Sequence, residues 1–170
     1  MKNKKPLIIA IGVISVCLLV QVIVSVSGPK FVLNLSSSLP IGVYKIRPFN
    51  GSLHRGDTVW ITPPQLVGNF IYENGWLPRG WPLLKIAAAI PGDQYEITDT
   101  AIAVNNGHIG PVFSEDSKGN LLPKIRGKFI VSKNQFLPIA TNIEKSFDGR
   151  YFGAMSQSSI IAFADPLIVF

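Results

Sequence analysis

The chain opens on one unbroken apolar block and then changes rhythm. Over residues 6–26 almost every position is apolar, with Gln21 the main polar interruption besides small serines. As a helix rising 1.5 Å per residue, a run of ~20 such residues spans a hydrocarbon core ~30 Å thick. Beyond Gly28-Pro29 the pattern breaks into short runs rich in β-branched and aromatic residues: 30–35, 42–47, 57–62, 84–89, 94–98, 101–104, 129–131, 136–139 and 160–163. Turn chemistry separates them, at Asn50-Gly51, Arg55-Gly56-Asp57, Pro63-Pro64, Pro91-Gly92-Asp93 and Asn105-Asn106-Gly107. Short β-forming runs between such breaks predict a mainly β body. The stretch 104–109, with Asn106-Gly107 between β-formers, predicts a hairpin. Helical patterning is weak, and residues 65–77 hold at most one short helix or an irregular loop.

This division implies an anchor over residues 1–28 and a body over 29–170. Residues 101–138, with hairpin signals, the polar loop 114–120 and the basic stretch 124–128, read as a module of their own or an excursion from one barrel. Lys2, Lys4 and Lys5 precede the apolar run with no early acid, which predicts a cytoplasmic N-terminus and an exported body, periplasmic in a Gram-negative cell. The competing reading is a secretory signal cleaved near Ser25 or Ser27, though such signals carry a shorter apolar stretch of ~7–15 residues.

Charge adds little beyond topology. The three leading lysines supply half of the net +6, and the balance left on the body is too small to imply nucleic-acid binding. A basic, partly apolar surface does favour anionic lipid headgroups. Cys17 is the one cysteine and lies inside the apolar block. The body therefore has no disulfide, no thiol nucleophile and no cysteine-based metal site.

Candidate chemistry falls on few residues. His54 and His108 sit in or beside turns without partners for a triad or a metal, and the acids are scattered singly. Lys85 is different: it is the only charge between Arg79 and Asp93, flanked by Pro82-Leu83-Leu84 and Ile86-Ala87-Ala88-Ala89-Ile90. An ammonium group in such a run either snorkels to water or loses affinity for its proton. A lysine pushed toward the neutral amine can act as a general base. Ser36, Ser37 and Ser38 precede Leu39-Pro40-Ile41-Gly42, where Pro40 holds Leu39 extended and Gly42 permits a bend. A serine there can present its hydroxyl beside backbone N–H groups. Taken singly, the lysine reads equally as a solvent-reaching strand residue and the serines as an ordinary loop leaving the membrane.

The order of the pieces is more specific. An anchor leads into Ser38-Leu39-Pro40-x-Gly42-x-Tyr44, then Leu84-Lys85-Ile86-Ala87-Ala88-Ala89-Ile90-Pro91-Gly92-Asp93, then Ser146-Phe147-Asp148-Gly149-Arg150-Tyr151-Phe152-Gly153. This resembles the bacterial type I signal peptidases of the S26 family, and within it the short conjugative-transfer peptidases of the TraF type that mature pilin precursors. The likeness spans most of residues 1–165.

The resemblance implies a serine endopeptidase with a β catalytic core, a β-rich cap and one N-terminal membrane helix. It implies Ser38 as nucleophile and Lys85 as general base, with Ser36 assisting the Ser38 N–H in an oxyanion hole. Ser146 would orient the lysine, and Asp148 with Arg150 would brace the site. Leu39 abuts Pro40 directly, which suits the conjugative branch, and Gly149 stands where the family usually has a small serine. The expected partners are the lipid bilayer and an exported precursor with small residues before the cut, bound as an added strand against Leu39, Pro40, Ile41 and Leu83. No cofactor or metal is called for. The rival reading is a non-catalytic, membrane-anchored β-domain that scaffolds a pilus or secretion complex.

Overall fold

The computed structural model describes residues 5–28, 30–142 and 145–170, with the side chains of the first helix described at Lys5 and over 9–22. Lys2, Lys4, Pro29 and Glu144 lie outside the described residues, as do the side chains of Ser25 and Ser27. Helix α1 (Lys5–Ser27) carries apolar side chains exposed on every face across residues 9–22. Among the described residues no helix is long and apolar enough to cross a membrane. Within α1 the consecutive side chains described, 9–22, make a shorter run than the ~20 residues a span needs.

The body is built on two antiparallel sheets. The larger runs β1-β2-β11-β3-β4-β9-β10, from β1 (Phe31–Asn34), β2 (Gly42–Pro48), β3 (Thr58–Ile61), β4 (Leu83–Ala89), β9 (Gln135–Ile139), β10 (Met155–Ser156) and β11 (Ile160–Val169). The smaller runs β7-β6-β5-β8, from β5 (Gln94–Ile97), β6 (Ala101–Val104), β7 (Gly107–Pro111) and β8 (Gly127–Ile130). The smaller sheet thus starts before residue 101, and β9 returns the chain to the larger sheet before 138. Pro63-Pro64 leads into α2 (Gln65–Glu73), settling the choice left open for residues 65–77, and α3 (Gly149–Phe152) is a single short turn of helix.

Local chemistry explains where the boundaries fall. In the β6–β7 hairpin the two left-handed turn residues are Asn105 and Asn106, with φ of 49° and 66°. Both positions of such a turn need positive φ, which Asn tolerates. Gly107 therefore begins β7, one residue from where the Asn-Gly pair alone would put the turn. Strand β11 runs well past Phe163. Pro166 sits opposite Tyr44 of β2, and β3 has already left the other edge after Phe163. A proline lacking its N–H is tolerated on such a free edge, and the register shift between Pro166 and Ile168 absorbs it. Gly42 faces this bulge, where a Cβ would fall 2.1 Å from the Ile168 carbonyl oxygen. Close strand approach, rather than a bend, demands glycine there.

Two apolar cores result. One packs Val59, Ile61, Ile71, Leu83, Phe136 and Phe163 between α2 and the larger sheet. The other joins Ile97, Ile102 and Val131 to Leu137, Ile139 and Tyr151 between the sheets. The Phe147 and Trp76 rings pack against both, so the two cores meet there.

Candidate active site

Strand β4 lies between β3 and β9, and its residues alternate between full and partial burial. Lys85 shares its inward face with Leu83, Ala87 and Ala89 and is 2% exposed. The period-two pleat of a central strand puts an amine where a leucine would ordinarily sit. Burial lowers the Lys85 pKa from 10.5 to about 8, against the attraction of Asp148 and with some help from Arg150. The ammonium donates to Ser146 Oγ at 2.9 Å.

Ser146 is buried and sits on the segment leading to α3. Its neighbour Phe147 fixes it: the ring stacks on Phe70 at 5.0 Å and on Tyr151 at 5.5 Å, and meets Trp76 at 5.2 Å. Lys145, on the other side, lies 5.2 Å from the Phe113 ring centre. Aromatic contacts of this kind add to the energy of burial and hold ring orientation. Ser146 is thus carried on a backbone that both cores restrain.

The third group, a second hydroxyl, arrives from the loop between β1 and β2. Ser38 Oγ is 3.0 Å from Ser146 Oγ, so Ser146 stands between Ser38 and Lys85 in one hydrogen-bonded row. The Ser38 amide donates to Ser36 Oγ at 3.3 Å. Leu39 is buried, while Tyr44 Oη donates to the Pro40 carbonyl at 2.7 Å.

Asp148 and Arg150 lie beneath Ser146. Asp148 is 0% exposed, caps α3 by accepting from the Arg150 amide, and accepts from the Ala140 amide at 2.8 Å. Its Oδ1 is 3.2 Å from Arg150 Nε. Burial raises the Asp148 pKa, and the nearby Lys85 and Arg150 charges offset only part of that rise. Arg150 also donates to the carbonyls of Ala140 at 2.7 Å and Pro111 at 3.3 Å, so it ties the strand end after β9 to the smaller sheet. Gly149 between them has no room for a side chain. A Cβ would lie 2.7 Å from Leu137 Cδ1 and 2.8 Å from the Pro138 carbonyl oxygen. The glycine is a packing requirement here.

These groups open onto a cavity of about 820 Å³ whose walls include Ser36, Ser38, Leu83, Lys85, Ser146 and Trp76. Leu83 lines it from the strand face that it shares with Lys85. Leu39, Pro40 and Ile41 do not: Leu39 turns into the protein interior, and the chain beyond it leaves toward β2. In their place Val32 and Leu33 of β1, Leu35 just after it, and Trp60 and Trp81 farther along form the apolar walls. Phe70 and Trp76 belong to the cores, whereas Trp81 is exposed at the cavity.

Sequence reasoning missed Asn34 and Asn142, which hold the serine loop. Asn34 Oδ1 accepts from the Ser36 amide at 3.1 Å, and an asparagine two residues before the first serine is the signature of such a local turn. Nothing local marked Asn142, whose partner Ser37 is far away in sequence. Phe147 was visible only as a member of its motif.

The chain is similar in sequence to known proteins. The family described as "Signal peptidase, peptidase S26" matches residues 5–168. A "Conjugal transfer protein TraF" of Agrobacterium fabrum is 27% identical over 181 residues, covering 99% of this chain and 98% of its own. A second, from Agrobacterium tumefaciens, is 32% identical, covering 81% of this chain and 82% of its own. A "Plasmid transfer protein TraF" of Escherichia coli is 30% identical, covering 79% and 81%. A solved signal peptidase I from Enterococcus faecalis V583 aligns at 19% identity and a TM-score of 0.40, over 66% of this chain and 96% of its own. The chain belongs to the signal peptidase family, peptidase S26, and within it to the TraF type.

Proposed function

We propose that this protein is a serine endopeptidase that cleaves exported precursor proteins with Ser38 as nucleophile and Lys85 as general base. The observation that carries this reading is the row Lys85 Nζ–Ser146 Oγ–Ser38 Oγ, with steps of 2.9 and 3.0 Å, at the wall of an open cavity. A lysine with a pKa of about 8 is neutral in a usable fraction of molecules near neutral pH.

Ser38 Oγ attacks the scissile carbonyl carbon as its proton passes to Ser146, and the Ser146 proton passes to the neutral Lys85 amine. The Ser38 amide and the Ser36 hydroxyl, turned toward the substrate, hold the oxyanion. Lys85 then returns the proton to the departing amine as the C–N bond breaks, leaving an acyl ester on Ser38. Water activated by the same lysine releases the acid. If the precursor's own N-terminal amine attacks instead, the product is a ring, with the same groups managing the proton.

The relatives' roles in conjugal and plasmid transfer support a pilin precursor as substrate. The apolar side chains exposed on every face of α1 over residues 9–22 support a single membrane crossing, since a helix apolar all round is stable only when surrounded by apolar matter. Exposed Phe31, Leu33 and Leu35 after the anchor, and Leu167, Ile168 and Phe170 near the end of β11, give the bilayer a further apolar contact. In this reading the smaller sheet is the cap over the catalytic core.

Co-expression with a candidate pilin precursor, followed by mass spectrometry, tests the proposal. Wild-type protein yields a shortened product, linear or lighter by one water if cyclised, and Ser38→Ala yields none. Processing by Ser38→Ala at the wild-type rate would refute the assignment.

A further inference from the structure

All five carbonyls of the 36–40 loop are held, and two asparagines hold them. Asn34, buried at the end of β1, shares the two N–H groups of its side-chain amide among the carbonyls of Ser36 at 3.0 Å, Leu39 at 3.1 Å and Pro40 at 3.0 Å. From the far side Asn142 donates its side-chain amide to the Ser37 carbonyl at 3.0 Å and its backbone N–H to the Ser38 carbonyl at 3.2 Å. A planar trans peptide points its N–H opposite to its C=O. The Asn142 bond to the Ser37 carbonyl therefore sets the direction of the Ser38 N–H, and the Asn34 bonds fix the chain on both sides of Ser38.

We infer that Asn34 and Asn142 clamp this loop so that the Ser38 hydroxyl meets Ser146 and the Ser38 amide, which donates to Ser36 Oγ in this structure, is held beside the place where an oxyanion forms. Both are positioning residues, and the inference rests on the nucleophile reading above. The clamp acts on the transition state, because the amide matters most once charge has developed on the carbonyl oxygen. Its loss lowers kcat more than it raises KM.

The test uses the full-length, membrane-embedded protein and a purified precursor. Asn142→Ala, Asn142→Asp and Asn34→Ala are compared with wild type and Ser38→Ala for kcat, KM, pH profile and melting. Asn142→Asp keeps the shape but loses the donor. We expect both Asn142 variants to lose about tenfold in kcat and Asn34→Ala about a hundredfold, at or below the lower end of the ~10²–10³ that deleting an oxyanion donor costs. KM should stay within about threefold, and the rise in activity near pH 8 should not move, since neither asparagine touches Lys85. Wild-type kcat in the Asn142 variants would overturn the clamp. So would a loss that tracks a lowered melting temperature or a displaced pH limb, which marks a merely structural role. Should Asn34→Ala fail to fold, the exposed Asn142 site still decides. Undiminished cleavage by Ser38→Ala would instead bring down the nucleophile reading, and the clamp with it.

Discussion

Lys85 and Lys128 are both strand lysines, and they live in opposite worlds. Lys85 lies on a central strand of the larger sheet, 2% exposed, against a serine hydroxyl. Lys128 lies on β8, the edge of the smaller sheet, with an 80% exposed side chain 3.8 Å from Glu96 directly across the ladder. The acids differ in the same way: Asp148 is buried, while Asp99 stays in water beside Arg126. Residue type is shared, so the distinction is one of solvation. The larger sheet spends stability on burying a charge network, and the smaller keeps its charges where water screens them.

The sharpest way to break this contrast is Lys85→Met. Precursor cleavage should fall by at least about 10³-fold, the scale of losing a general base. The variant should melt no earlier than wild type at pH 7, because an apolar chain of similar length removes the desolvation cost. Retained cleavage would show that the buried amine is not the base. The intact enzyme supplies a companion measurement. Its activity should climb with pH through about 8 as Lys85 gives up its proton. Stability should move the same way. The unfolded lysine keeps its proton to about 10.5 and the folded one releases it at about 8, so the unfolded state binds more protons between those values. Stability then rises across that window, recovering about 3 kcal/mol that is absent at neutral pH. A flat stability profile from pH 8 to 10 would contradict the burial effect.

The contrast was half legible in the sequence. Apolar flanks on both sides mark Lys85 as suspect, whereas Lys128 closes the basic stretch 124–128, which reads as a solvated face. Local alternation and turn residues located most strands, because those signals act over a few residues. They could not locate the row Ser38–Ser146–Lys85, whose members meet through three separate elements. Ordered motifs and their family resemblance supplied that grouping. Loop orientation was the least legible part. Leu39 reads as a pocket residue from its place beside Ser38, yet it turns inward because Asn34 and Tyr44 hold the next carbonyls. Gly149 reads as a lost hydroxyl until the backbone of β9 is seen pressed against it.

Gly149→Ser sharpens the account of the buried network. It restores the residue usual in the family, so a resemblance-based argument expects no harm. The packing predicts a cost, since its Cβ lies 2.8 Å from the Pro138 carbonyl oxygen and a main-chain atom gives way poorly. Overpacking of this kind costs about 1–3 kcal/mol. Denaturant unfolding should show that loss, with activity falling because Asp148 and Arg150 move with the strained turn. Unchanged stability would mean that β9 yields easily, and that the brace is looser than its hydrogen bonds imply.

Lys128→Gln completes the comparison from the other side and should do least. The pair it breaks is exposed on both partners and already long, and exposed pairs contribute about 0–1 kcal/mol. The loss should shrink further at high salt, where screening weakens what attraction remains. Precursor cleavage should match wild type, because Lys128 does not line the cavity. A strong fall in cleavage without a fall in stability would give the smaller sheet a direct role in holding substrate. The contrast between a working sheet and a covering one would then no longer hold.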